Sequence, residues 1–226
     1  MQVDELVRAD AIARIYGSGQ GAVAAVASAT FTVHPGDRIA LVGPSGSGKS
    51  TLLHLIAGLD EPTAGTIEWP ALGPRHLLRP GPIGLAFQGP SLLPPLTAVE
   101  NVALPMILFG SAEEPALAAA RDLLDAFGVE DLAFKLPEEL SGGQSQRVGL
   151  ARAFAGSPRL VLADEPTGQQ DHATGARAME AAFTIASAEG TALIIATHDR
   201  SIAGSLPTVW TVDGGRLRTE DVPCSA

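Results

Sequence analysis

"GPSGSGKST", residues 43–51, decides how the rest of the chain is read. It satisfies the spacing Gly-x-x-x-x-Gly-Lys-[Ser/Thr] at Gly43, Gly48, Lys49 and Ser50. Just before it lies "RIALV", residues 38–42, with the texture of a short buried strand; after it, residues 50–58 read as an apolar helix. Glycines at these places let backbone N–H groups approach phosphate oxygens, and a helix start adds a favourable dipole. Pro44, Ser45, Gly46, Ser47 and Thr51 complete the cradle. Lys49 is expected to reach the β- and γ-phosphates of a nucleotide, and the Ser50 hydroxyl to bind Mg²⁺.

"LVLADEP", residues 160–166, supplies the other half of such a site. Asp164 ends a buried apolar strand, where a lone carboxylate is costly, and a nearby Mg²⁺ relieves that cost. Glu165 is then placed to orient or polarise an attacking water. These two elements specify a P-loop nucleotidase, a description shared by kinases, GTPases and motors. No guanine-reading Asn-Lys-x-Asp segment is present, which argues against a GTPase.

Elsewhere, residues 22–33 are rich in Val, Ala and Thr and run into the turn "HPGD", so antiparallel strands are expected in the first thirty-odd residues. Residues 63–69 and 83–87 read as strands, the second ending at Gln88. Thr97 with Glu100 has capping-box spacing, as does Ser141 with Gln144. Helices are expected over 113–127, 143–155 and 172–188, a buried strand over 192–197, and a closing hairpin over 208–217. Strand and helix alternate, which predicts an α/β core, and residues 89–156 read as a helical insertion into it.

The 226 residues suffice for a sizeable core, and 46% hydrophobic against 18% charged residues is a globular composition. A net charge of −10 puts a broad nucleic-acid footprint at a disadvantage. The single cysteine, Cys224, excludes an intramolecular disulfide and fits a reducing compartment. "MQVDELVRAD" is no signal peptide. Residues 22–33 are too short to span a bilayer, and the greasier 92–109 is interrupted by Glu100, Pro94, Pro95 and Pro105, so no segment is expected to cross a membrane.

"LSGGQSQR", residues 140–147, is a second small-residue anion seat opening a helix. With it the chain resembles the ATP-binding subunits of ABC transporters, from about residue 16 to residue 217. Tyr16 matches the family's adenine-stacking aromatic, Gln88 its Q-loop (a nucleotide and Mg²⁺ contact), and Ser141, Gly142, Gly143 and Gln144 its signature. Asp171 matches the D-loop acid and His198 the switch histidine that contacts the γ-phosphate.

The resemblance implies a P-loop NTPase (RecA-like) core with an N-terminal antiparallel β subdomain, from residues 1–88 and 157–226, and an inserted α-helical subdomain, residues 89–156. It implies ATP and Mg²⁺ as cofactors, with Ser50, Gln88 and Asp164 at the metal and Lys49, Glu165 and His198 catalytic. It further implies a head-to-tail homodimer in which Ser141 and the N–H groups of Gly142 and Gly143 cover the γ-phosphate held by the other copy. The implied partner is a separate membrane permease, not nucleic acid, and the implied location is the cytoplasmic face of the cell membrane. "FQGPSLLPPLTAVENVALPMILFG", residues 87–110, and Thr174-Gly175 resemble the lipoprotein-releasing and macrolide-exporter type, with a few apolar residues of 103–109 expected to line a groove for a permease coupling helix.

Three places depart from the pattern. Gln170 stands where a Leu usually precedes the D-loop acid and makes that dimer-interface contact more polar. Residues 69–82 are short and rich in Pro and Gly, so a customary short helix is expected to be missing. Ser145 replaces a common Gln. The competing expectation is a soluble ABC-type ATPase acting on nucleic acid, ribosomes or cofactor assembly.

Overall fold

The structure, a computed structural model, describes residues 4–89 and 91–221. Cys224 lies outside the described residues. The chain divides into two units, Met1–Leu78 with Ala192–Ala226, and Arg79–Thr191.

In the first unit, β1 (Val7–Tyr16) pairs antiparallel with β2 (Val23–Val33) and with β4 (Ala64–Glu68). β3 (Arg38–Val42) lies between two parallel neighbours, β7 (Ala192–Ala196) and β8 (Thr208–Asp213). β9 (Arg216–Asp221) closes an antiparallel hairpin with β8, and the sheet of this unit runs β4-β1-β2-β9-β8-β3-β7. Residues 39–41 and all of β7 are buried, as expected of parallel strands covered on both faces. α1 (Lys49–Ile56) buries Leu52, Leu53, Leu55 and Ile56 and contacts β2 and β7. Its C-terminal end is closed by side chains from the segment after β4: Trp69 Nε1 donates to the Ile56 carbonyl at 2.8 Å and Arg75 Nε to the Gly58 carbonyl at 2.8 Å. Within residues 69–82, where a short helix was expected to be missing, the structure has a single 3₁₀ turn, Arg75–Leu77.

In the second unit, β5 (Ile83–Ala86) and β6 (Leu160–Asp164) pair parallel, from Ile83 opposite Leu160 to Ala86 opposite Ala163. α2 (Ala98–Leu108), α3 (Glu113–Ala126) and α4 (Gly142–Phe154) contact one another, and α4 lies on β5 so closely that a Cβ at Gly84 would sit 1.7 Å from the Ala153 carbonyl oxygen. Phe127 and Phe154 meet at 5.8 Å between ring centroids. Both expected capping boxes form: Thr97 with Glu100 starts α2, and Ser141 with Gln144 starts α4. α5 (His172–Glu189) follows β6 through the loop 165–171. α2 runs through Pro105, which removes one internal hydrogen bond without ending the helix. α6 (Arg200–Gly204), in the first unit, was not expected from sequence; it is one short turn capped by Asp199, which accepts from Ser201 N–H at 2.7 Å.

Candidate nucleotide site

The phosphate loop leaves the C-terminal end of β3 and enters α1. A Cβ on Gly43 would lie 2.2 Å from the Val212 carbonyl oxygen, and one on Gly48 would lie 2.0 Å from that of Ala25. Only glycine passes both points, and Gly48 caps α1 with a φ of 109°. Lys49, 9% exposed, donates from Nζ to the carbonyls of Gly43 at 2.8 Å and Pro44 at 3.1 Å. Two of its three donors thus brace the loop, and one is left for a phosphate oxygen. The buried Ser47 Oγ has no hydrogen-bond partner among the described residues. The first-turn N–H groups of α1 have no intrahelical acceptor, while Pro44, Ser45 and Gly46 are exposed and Ser50 and Thr51 half-buried. An orphaned buried hydroxyl, a braced lysine and open N–H groups converge on one small volume, and this is a fit for nucleotide phosphates.

His198 is exposed on the loop leaving β7, the strand beside β3. Thr197 N–H donates to the Leu41 carbonyl at 3.1 Å, and Thr197 Oγ1 accepts from Asp199 N–H at 3.0 Å. His198 and the phosphate loop therefore emerge at the same C-terminal strand ends, where open α/β sheets bind ligands. A cavity of about 460 Å³ there is lined by Val42, Gly43, His198, Asp199 and Arg200 among others.

Tyr16, at the end of β1, is 40% exposed. Its hydroxyl donates to Asp60 Oδ2 at 2.6 Å, and the Arg14 guanidinium lies 4.6 Å over the ring centroid. Arg14 also grips both oxygens of Asp60 at 2.8 Å. Burial pushes the Asp60 carboxyl up, but hydrogen bonds from Tyr16, Glu61 N–H and Arg14 outweigh it and hold the group below its ordinary value.

In the second unit, Asp164 ends β6 half-buried, and Glu165 follows, 8% exposed, with a left-handed φ of 48°. Gln88, exposed, lies two residues beyond β5, at the same end of the parallel pair as Asp164. Ser141 caps α4: its Oγ accepts from Gln144 N–H at 3.3 Å, and Gln144 Oε1 accepts from Ser141 N–H at 2.8 Å. The Ser141 hydroxyl keeps its proton to donate, and the N–H groups of Gly142 and Gly143 belong to an open first turn. Asp171 caps α5, accepting from Thr174 N–H at 3.0 Å, and its hydrogen bonds to Thr174 hold its carboxyl below the ordinary value. Gln170 turns back onto its own loop, donating to the Pro166 carbonyl at 3.1 Å, with its Oε1 buried and unpartnered.

A sequence profile described as "ABC transporter" matches residues 26–168, more than half of the chain. The chain belongs to the ABC transporter family. It is an ATP-binding subunit of that family and an ATPase. Its sequence is 40% identical over 213 residues to the lipoprotein-releasing system ATP-binding protein LolD of Pseudomonas syringae pv. tomato, covering 91% of this chain and 94% of that protein. It is 38% identical to the LolD of Legionella pneumophila, covering 95% and 97%. An uncharacterised ABC transporter ATP-binding protein of Mycobacterium tuberculosis is 44% identical over 83% of this chain and 79% of its own length. Among solved structures, the ATP-binding cassette MJ0796 in a dimeric post-hydrolysis state bound to ADP and Pi superposes with a TM-score of 0.88 at 32% identity, covering 95% of this chain and 98% of the other.

Sequence reading of this ABC subunit passed over three side chains that shape the site. Asn101, fully buried on α2, accepts from Leu93 N–H and donates to the carbonyls of Leu93, Leu96 and Thr97, fixing the segment before that helix. Arg152, on α4, binds the Ser91 carbonyl and hydroxyl, both at 2.8 Å; burial pushes its guanidinium down from the ordinary value. Gln146, also on α4, reaches the loop after β6. A polar residue on a buried helix face was the signal for Asn101; the partners of the other two are distant in sequence and leave no local signal.

Proposed function

We propose that two copies of this subunit sandwich two molecules of MgATP, hydrolyse them, and drive a separate membrane permease in an export or force-transmitting system. The observation that carries the reading is a pair of glycine-rich helix starts on one chain. The start of α1 has its own lysine, while the first turn of α4 has open N–H groups and no lysine or arginine. A cradle of the second kind suits the terminal phosphate of a nucleotide bound by another copy. The dimeric state of MJ0796 and the lipoprotein-releasing role in the LolD name support the same reading.

In this reading residues 1–88 and 157–226 form the nucleotide core and residues 89–156 the signature lobe. Tyr16 stacks on adenine. The loop from Gly43 to Thr51 wraps the phosphates, with Lys49 supplying charge. Ser50, Asp164 and Gln88 would hold Mg²⁺, which would supply positive charge against the nucleotide's phosphates when bound. Among the described residues no group of three His, Cys, Asp or Glu gathers as a metal cage. A hydroxyl, one carboxylate and one amide suit Mg²⁺, which keeps waters and phosphate oxygens and needs only one or two carboxylates from the protein. Glu165 orients the attacking water and His198 aligns the γ-phosphate. Ser141, Gly142, Gly143 and Gln144 build the cover for the other copy's phosphate, and Asp171 holds the loop between them.

The permease docks on an apolar cavity of about 370 Å³ in the second unit, lined by Leu85, Phe87, Leu104, Met106 and Phe109 among others. Leu108 and Phe109 at its rim are 63% and 68% exposed, as unpartnered docking residues would be. No helix of the described residues is long and apolar enough to cross a membrane. In this reading the subunit works as a peripheral component at the cytoplasmic face.

The test is hydrolysis by Glu165→Gln. Loss of one preorganised group is expected to cut turnover by about 10²–10³ while ATP binding persists. Wild-type turnover by this variant would remove Glu165 from the reaction.

A further inference from the structure

Gln146 lies one helical turn past the signature glycines, on α4. Its side chain links that helix to main-chain groups of the loop 165–171: Nε2 donates to the Glu165 carbonyl at 3.3 Å, and Oε1 accepts from the Gln169 N–H at 3.0 Å. The amide orientation is fixed by its partners, because a carbonyl can only accept and a backbone N–H can only donate. The Glu165 carbonyl also accepts from Gly168 N–H at 3.2 Å. Both lone pairs of that oxygen are thereby used, and the backbone of Glu165 is held in its left-handed conformation, φ 48°, which a non-glycine residue adopts only when its surroundings impose it. The side chain of Gln169 in turn lies over the signature: a Cβ on Gly142 would meet its Oε1 at 2.2 Å.

From this network we infer that Gln146 is a positioning residue for Glu165, tying the orientation of the catalytic carboxylate to the helix whose first turn covers the other copy's phosphate. The inference rests on the proposed role of Glu165. Seating a phosphate on the start of α4 and aiming Glu165 become one event, because the same amide joins α4 to both ends of the loop. Placement errors of about 1 Å cost as much as a hundredfold in rate, so a tether of two hydrogen bonds has catalytic reach without touching substrate.

Two substitutions separate its halves. Gln146→Leu removes both bonds. It is expected to lower kcat by about ten- to a hundredfold, leave the KM for ATP near the wild-type value, and speed hydrogen exchange at the Gln169 amide in the nucleotide-free protein. Gln146→Glu still accepts from Gln169 N–H but cannot donate to the Glu165 carbonyl. It is expected to keep the protection at Gln169 and still lose turnover, which also covers the case in which the leucine variant fails to fold. Wild-type turnover by Gln146→Glu, or a folded Gln146→Leu with wild-type kcat, overturns the proposal. Glu165→Gln is the control. If its turnover collapses while Gln146→Leu keeps the wild-type rate, the tether alone is wrong; if Glu165→Gln itself turns over normally, the role of Glu165 falls and the proposal with it.

Discussion

Tyr16 is fixed before any base arrives. Its hydroxyl is held by Asp60, and Arg14 covers one ring face, so a stacking base would take the other. If adenine stacks there, Asp60→Asn loosens the ring and the guanidinium together. A lost hydrogen bond to a charged group is worth about 1.5 kcal/mol, so the KM for ATP should rise about tenfold with kcat unchanged, and Tyr16→Phe should reproduce part of the effect without adding to it. Steady-state kinetics of the two variants and their combination check this; additive losses would mean that Asp60 acts elsewhere. At this scale the sequence was legible where chemistry is written in spacing. Gly43, Gly48, Lys49 and Ser50 identify themselves because a phosphate cradle needs those types at those intervals. Asp60 and Gln146 do not, since their partners lie 44 residues away for Asp60 and 19 and 23 residues away for Gln146, and only the folded chain supplies them.

Helix starts were the most readable elements because their caps are local. Thr97–Glu100 and Ser141–Gln144 form the reciprocal bonds their spacing predicts. The first of these carries a pH signature. The side-chain and backbone hydrogen bonds of Thr97 hold the Glu100 carboxyl below its ordinary value. The stabilisation it gives α2 is therefore present above the ordinary carboxylate range and disappears as pH falls through the lowered folded value. Thermal melts should show Glu100→Gln less stable than wild type at neutral pH, with the difference closing in acid; a gap that persists unchanged in acid would contradict the assignment. Less readable was α6, too short for any periodicity and set by a single Asp199 cap. The direction of Gln170 was also hidden. Its amide donates to the Pro166 carbonyl four residues back in its own loop, a partner that the spacing does not announce.

For the whole molecule, strand and helix alternation predicted the α/β class, and the fold bears it out through parallel β3, β7 and β8 in one unit and β5 with β6 in the other. A reason for one chain to carry two anion seats was already legible through the family resemblance, which implies that each copy covers the other's nucleotide. The two seats differ in geometry: α1 begins with a braced lysine and an orphaned hydroxyl, while α4 begins with a serine cap and first-turn N–H groups that lack an intrahelical acceptor. In the proposed function each copy donates what the other's nucleotide lacks, so closure around ATP is a property of two chains. Light scattering on Glu165→Gln with saturating MgATP tests this most directly. The account predicts a particle of twice the 23.2 kDa chain mass that reverts to one chain in ADP or when Ser141 is also replaced by Arg; a particle of single-chain mass under saturating MgATP would contradict it.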